Sequence, residues 1–394
     1  MERHVLVSAD CHAGPLPDQA RGYVDPKYRE AFDRWLADEP AKLARRADHT
    51  GAAIYGDEAV AEFGTEGAVR GGGMDGAWDS KRRRDEMAGD GVAAEVIFPG
   101  GSLETVSPFD AGLMTYQYEQ PAELWLEGCR AYNRWLADFC AEAKGLRAGV
   151  GLVTVDDVET TVRDIRWQRE HGLTGGIVLP VHTNGQPYYN HPRYEPLWSV
   201  CEDLDVPIHT HSGWTPNYGD LPGSLGIFLY EIGWWAHRAF HFLAWSGVFE
   251  RHPRLRFVMT EQGATWVVDA LAQLDAQYEL PMFRHMRREL PQRPSDYFRR
   301  NAWVGAAFMD EDVVRVRHEI GVDKLMWGSD YPHIEGTWPH TAEKLAATFA
   351  GVPRDEVVAM LGGTAAAVYG FDADVLARAA AEVGPPLASI GADA

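Results

Sequence analysis

The sequence predicts a (β/α)8 barrel, and three observations carry that prediction. Short apolar, β-branched runs end repeatedly in Gly, Pro, Asp or His. Amphipathic helical patterns lie between them, the order of parallel strands with helical crossovers. At 394 residues the chain can hold eight such units in one long barrel. The predicted strands are His4–Ser8, Ala94–Pro99, Ala148–Val155, Gly175–Pro180, Pro207–His211, Arg256–Thr260, Ala302–Phe308 and Leu325–Ser329. Eight units in series favour closure over an open sheet.

After the first strand, residues 13–80 delay the expected helix. This long connection is rich in aromatics and glycine, with Gly71 to Gly73 in a row, and is read as a partly ordered cap over the barrel mouth. Lys81 to Arg84 form a basic run followed by Asp85 and Glu86, read as a solvated helix start. The segment after Asp157, VETTVRDIRWQREHG, begins with acids and ends in His-Gly, a helix with a stop signal. RYEPLWSVCEDLD, ATWVVDALAQLDAQY and DEDVVRVRHEIG supply the helices after the fourth, sixth and seventh strands. Residues 353–394 add a C-terminal helical extension and an Ala-, Gly- and Pro-rich tail. Residues 1–394 are read as one domain without internal repeats.

Hydrophobic residues make up 45% and charged residues 24%, the balance of a soluble globular protein. A net charge of −21 argues against a nucleic-acid partner. The four cysteines, Cys11, Cys129, Cys140 and Cys201, form no C-x-x-C pair, so a reducing compartment is expected. The N-terminus lacks a signal-peptide layout, and no run approaches the ~20 apolar residues of a membrane helix. A soluble, cytoplasmic protein with no membrane partner is the expectation.

Reactive groups of such barrels sit at the C-terminal strand ends. Strand one ends in VSADCHAG, placing Asp10 and His12 two residues apart on one side of an extended chain. Strand five ends in VPIHTHSG with His209 and His211 in the same relation, strand six in VMTEQG with Glu261, and strand eight in MWGSDYPH with Asp330. Imidazole and carboxylate donors suit Zn2+, Mn2+, Fe2+ or Co2+, and two His with two Asp leave a position for water. One divalent ion, with Zn2+ the first choice, is therefore predicted on Asp10, His12, His211 and Asp330. Each residue alone also fits a turn or a satisfied polar strand end; the convergence of suitable pairs at three strand ends favours the metal.

The segments SADCHAG, VPIHTHSG, LRFVMTEQG with Trp266, and LMWGSDYPHIEGTWP resemble the amidohydrolase-related branch of the amidohydrolase superfamily. That branch also holds the aminocarboxymuconate-semialdehyde decarboxylase-like enzymes. The resemblance runs from Val5 to about Tyr369, and its most specific piece is Gly-Ser-Asp-Tyr-Pro-His. It implies a barrel with one divalent ion on the same four residues, in a dimer or larger homo-oligomer. Asp10 departs conservatively from the family's commoner His-x-His or Glu-x-His. Glu261 departs more sharply, because many members place a His there. An ionised Glu only accepts hydrogen bonds, whereas His can donate. Four roles are open to Glu261: fifth ligand, general base, anchor for a cationic group, or structural carboxylate.

Asp330, Glu261 and His241 are the catalytic candidates. His209, His333, His182, Arg238 and Trp214 are the candidate contacts to a small-molecule substrate. His241 lies in the aromatic stretch WWAHRAFHFLAW, which suits either core or a pocket wall. Hydrolysis of a small cyclic, amide or aromatic compound by metal-activated water is ranked first, with Asp330 taking the proton. Non-oxidative decarboxylation of an aromatic or unsaturated acid ranks second, because Glu261 counts against it. A ligand-binding barrel without chemistry ranks third.

Overall fold

The structure is a computed structural model, which describes residues 2–46, 73–102, 104–113, 120–219, 221–307 and 309–391. Eight parallel strands follow one another in sheet order exactly as in sequence, so each pairs with the next. They are β1 Leu6–Ala13, β2 Val92–Pro99, β3 Arg147–Leu152, β4 Gly176–Val178, β5 Ile208–His211, β6 Phe257–Thr260, β7 Ala302–Ala307 and β8 Leu325–Gly328. Beyond its paired register, the sheet closes where the ends of β1 and β8 meet. Asp330 N donates to Asp10 O at 2.9 Å, and His12 N donates to Tyr331 O at 2.7 Å. This is a (β/α)8 barrel. All eight predicted strands are present, although β1 runs five residues past its predicted end at Ser8; Phe308 lies outside the described residues.

β1, β2, β3 and β5 are buried at every position, as expected of strands covered on both faces. The four predicted helices appear at Val158–Glu170, Glu195–Asp203, Trp266–Glu279 and Glu311–Ile320. Two start on side-chain caps. Asp157 accepts from Glu159 N, and Asp310 accepts from Val313 N, satisfying amide donors that the first helical turn leaves unpaired.

The described part of the 13–80 insertion is helical. Helices Pro17–Tyr23 and Arg29–Arg46 build a small core of Ala20, Val24, Phe32 and Trp35 against Phe109 and Ala131. A short 3-10 turn, Gly73–Ala77, lies against Tyr331 at the end of β8: a Cβ on Gly76 would sit 1.8 Å from the Tyr331 hydroxyl. Residues 47–72 of the predicted cap, including Gly71 and Gly72, lie outside the described residues. At the opposite end, helix Thr364–Tyr369 of the extension packs by β1 and helix Ala373–Val383 by β2; a Cβ on Gly362, in the turn Ala359–Gly363 just before them, would meet Val5 O at 2.0 Å. Among the described residues no helix is long and apolar enough to cross a membrane.

Candidate metal centre

Two-residue spacing on β1 and β5 turns Asp10, His12 and His211 to the barrel interior, where they are 0%, 2% and 3% exposed. Glu261 follows β6 directly, and Asp330 stands two residues beyond β8. Both have positive φ, 55° and 58°, a left-handed conformation that non-glycine residues rarely adopt. Such strain at two strand ends of one site marks residues kept for their side chains.

His12 Nε2 lies 3.5 Å from Asp10 Oδ1, 3.3 Å from Asp330 Oδ1 and 3.7 Å from Glu261 Oε2. His211 Nε2 lies 3.4 Å from Asp10 Oδ1 and 3.2 Å from Glu261 Oε2. Donor atoms of Asp10, His12, His211 and Glu261 all fall within 4.8 Å of one another, and a second group joins Asp330, His12 and His333. The other ring nitrogens are held by backbone carbonyls. His12 Nδ1 bonds Pro99 O at 2.9 Å and His211 Nδ1 bonds Ser212 O at 2.8 Å, which aims both Nε2 atoms inward. Asp10 Oδ2, His12 Nε2 and Asp330 Oδ2 are buried with no hydrogen-bond partner. Orphaned polar atoms of this kind cost about 1–3 kcal/mol each, and one cation resolves all three. The donor set therefore fits a divalent ion.

Electrostatics of the cluster follow from burial and proximity. Burial raises the Asp10 carboxyl, against the pull of His211 and His12. Burial opposes ionisation of Asp330 too, but His333 and His12 outweigh it and hold that carboxyl well below the usual range. Burial likewise opposes charging of His333, yet Asp330, whose Oδ1 is 3.0 Å from His333 Nδ1, pushes that imidazole up to about 10.

Other candidates land elsewhere. His209 shares the inward side with His211 but lies one layer deeper: its Nε2 bonds Gly175 O at 3.0 Å and its ring stacks on Tyr369. Burial drives it down to about 3, so it is a neutral interior histidine with both ring nitrogens partnered. His241 sits on helix Ser224–Trp245, with His237 (5.8 Å) and Phe240 (6.2 Å) as ring neighbours. His182 stacks on Trp214 at 5.1 Å, and Trp214 meets Trp235 edge-on at 5.2 Å. These form an aromatic wall from the loops after β4 and β5 and from helix Ser224–Trp245. Arg238 is half-buried, its guanidinium 4.5 Å from the Trp235 ring centre and 5.3 Å from that of Trp234.

One residue escaped sequence reasoning. Arg83, from the basic run read as solvated, is fully buried. It pairs with Glu95 at 2.7 Å and donates to His12 O at 2.8 Å, fixing the strand end that carries a metal donor. A signal existed: a Glu inside the apolar run of β2 demands a buried cation. Ser80, Arg83 and Met87 also form a buried helical stripe.

A barrel with carboxylates and imidazoles converging at its C-terminal strand ends defines a metal-dependent barrel enzyme. The chain belongs to the amidohydrolase family, whose model matches residues 9–371. Gamma-resorcylate decarboxylase of Rhodococcus jostii (strain RHA1) is 28% identical over 226 residues, 52% of this chain and 65% of that protein. Decarboxylase orsB of Emericella nidulans is 26% identical over 252 residues, 59% of this chain and 73% of that protein. The match thus spans just under two thirds of the Rhodococcus relative's length. Among solved structures, 5-carboxyvanillate decarboxylase LigW from Sphingomonas paucimobilis superposes with a TM-score of 0.65 at 20% identity, covering 93% of this chain and 99% of that one. The 5-carboxyvanillate decarboxylase of Novosphingobium aromaticivorans, solved with bound manganese, has a TM-score of 0.66 at 16% identity, covering 93% and 97%.

These findings correct the ranking of reactions. Hydrolysis was placed ahead because Glu261 replaces a histidine, but the relatives are decarboxylases. One substituted strand end weighed less than the rest of the sequence. Zinc is not singled out either, since the solved neighbour carries manganese.

Proposed function

We propose that the chain catalyses metal-dependent, non-oxidative decarboxylation of a hydroxylated aromatic acid. The observation that carries this reading is the sequence likeness to gamma-resorcylate decarboxylase over 52% of the chain. The aromatic wall of His182, Trp214 and Trp235 suits a flat ring.

Asp10, His12, His211 and Asp330 would hold the ion. A divalent cation there would supply positive charge that offsets the negative charge of an acid substrate. Asp330 delivers the proton, which at rest is held on His333. Its Oδ1 is tied to His333 Nδ1, while its buried Oδ2 has no hydrogen-bond partner. A proton held by this pair passes to the ring carbon bearing the carboxylate. The carbon–carbon bond then breaks, CO2 leaves, and the bonding pair restores the aromatic ring. Asp330 is left ionised and His333 neutral, and His333 takes up the replacement proton.

The test is incubation of the Mn2+-loaded protein with 2,6-dihydroxybenzoate and 5-carboxyvanillate, reading CO2 and the phenol product. One CO2 per product is expected, and Asp330→Asn should slow turnover by about 10²–10⁴-fold. Turnover of amides or lactones with no CO2 release from either acid would reject the reading.

A further inference from the structure

We propose that Glu261 is itself a ligand of the divalent ion, added to Asp10, His12, His211 and Asp330, and that it biases the site toward a hard, oxygen-preferring cation such as Mn2+. The inference rests on the metal reading of the cluster and is independent of which reaction the site performs.

The first argument is distance. Ligand atoms about 2.0–2.2 Å from one ion are separated by about 2.8–3.6 Å along the edges of an octahedral or tetrahedral shell. Glu261 Oε2 stands 3.2 Å from His211 Nε2 and 3.7 Å from His12 Nε2, matching the 3.4 and 3.5 Å of Asp10 Oδ1 to the same atoms. Glu261 thus occupies an edge position equivalent to that of Asp10. His12 Nε2, which faces it, and Asp10 Oδ2 are buried with no hydrogen-bond partner.

Backbone geometry gives the second argument. Glu261 takes φ 55° immediately after β6, with its N–H held by Gly305 O at 3.0 Å. Glutamate lacks the local hydrogen bonding that eases Asn or Asp into this region, so the conformation is tolerated for where it sends the carboxylate. A structural salt bridge does not explain it: among the described residues its ion-pair neighbours are His12 and His211, with no Arg or Lys. A shell of three carboxylates and two imidazoles is richer in oxygen than the two-Asp, two-His set, and carboxylate donors suit Mn2+ better than they suit softer ions.

Mn2+ binding to metal-free protein, followed by electron paramagnetic resonance, tests this without any substrate. Glu261→Gln should weaken Mn2+ about tenfold or more, the scale on which losing a group that supports a metal site is felt; a smaller loss overturns the proposal. Glu261→Gly relieves the strained φ, so the melting temperature of the metal-free protein should hold or rise while Mn2+ affinity falls. A lower melting temperature would assign Glu261 to structure and overturn the proposal as well. His211→Ala separates the two levels of inference. Mn2+ lost in His211→Ala but kept in Glu261→Gln sinks the Glu261 assignment alone; Mn2+ kept in both sinks the metal site with it.

Discussion

Asp10 and Gly328 meet at the seam between β1 and β8, and the glycine is there because nothing larger fits. A Cβ at position 328 would stand 2.6 Å from Asp10 Cβ and 3.1 Å from Asp10 N. Gly328→Ala should therefore push Asp10 out of the cluster. The expected result is a loss of about 1–3 kcal/mol of stability from overpacking, together with weaker Mn2+ binding in a titration; unchanged metal affinity would show that Asp10 does not set it. At this scale the sequence showed which residues face inward but not how deep they lie. The two-residue period turned both His209 and His211 to the interior, yet only His211 reaches the mouth, while His209 bonds Gly175 O below it. Depth depends on strand stagger, which one strand's pattern does not contain. His241 was unreadable for a different reason. Its helix is apolar around most of its circumference, so no face declares itself toward the barrel.

Strands and helix starts were the best-marked elements, because turn residues and caps are local chemistry. Asp157 and Asp310 cap the helices that their sequences announced. Long-range partnerships were hidden. Arg83 looks solvated among Lys81, Arg82 and Arg84 until β2 delivers Glu95 to it, and Asp90 looks like a simple helix end. Asp90 in fact ties two elements together, accepting from Thr341 N at 3.0 Å at the start of helix Thr341–Thr348. Burial pushes its carboxyl up to about 6, against the hydrogen bonds from Thr341. The fold therefore favours the protonated form. The resulting contribution is fully present below the ordinary carboxylate range near 4 and is lost as pH rises through about 6. Asp90→Asn should flatten the stability curve across that interval by about 1–3 kcal/mol relative to the wild-type protein. Urea unfolding at pH 4, 5, 6 and 7 reads the difference; parallel curves for the two proteins would place Asp90 in a more polar setting than its burial implies.

Across the whole molecule, the site joins parts of the chain far apart in sequence. Asp10 and His12 come from β1, His211 from β5, Glu261 from the end of β6 and Asp330 from beyond β8. Three carboxylates share a small buried volume in a chain of net charge −21, so the metal-free barrel carries repulsion across its closing seam. An ion bound to the folded state and not to the unfolded chain stabilises the whole fold by mass action. At free Mn2+ a hundredfold above its Kd the gain is about 2.7 kcal/mol. Unfolding entropy of about 2 cal/mol/K per residue turns that into roughly 3 °C for a chain of 394 residues. The melting temperature should therefore climb with the logarithm of Mn2+ concentration once the site saturates, and fall back on chelation. His211→Ala should lose the dependence while keeping the barrel's helical circular dichroism. If the wild-type protein melted at the same temperature with and without Mn2+, the cluster would be a hydrogen-bonded polar core, and the orphaned oxygens of Asp10 and Asp330 would have to be satisfied by water instead.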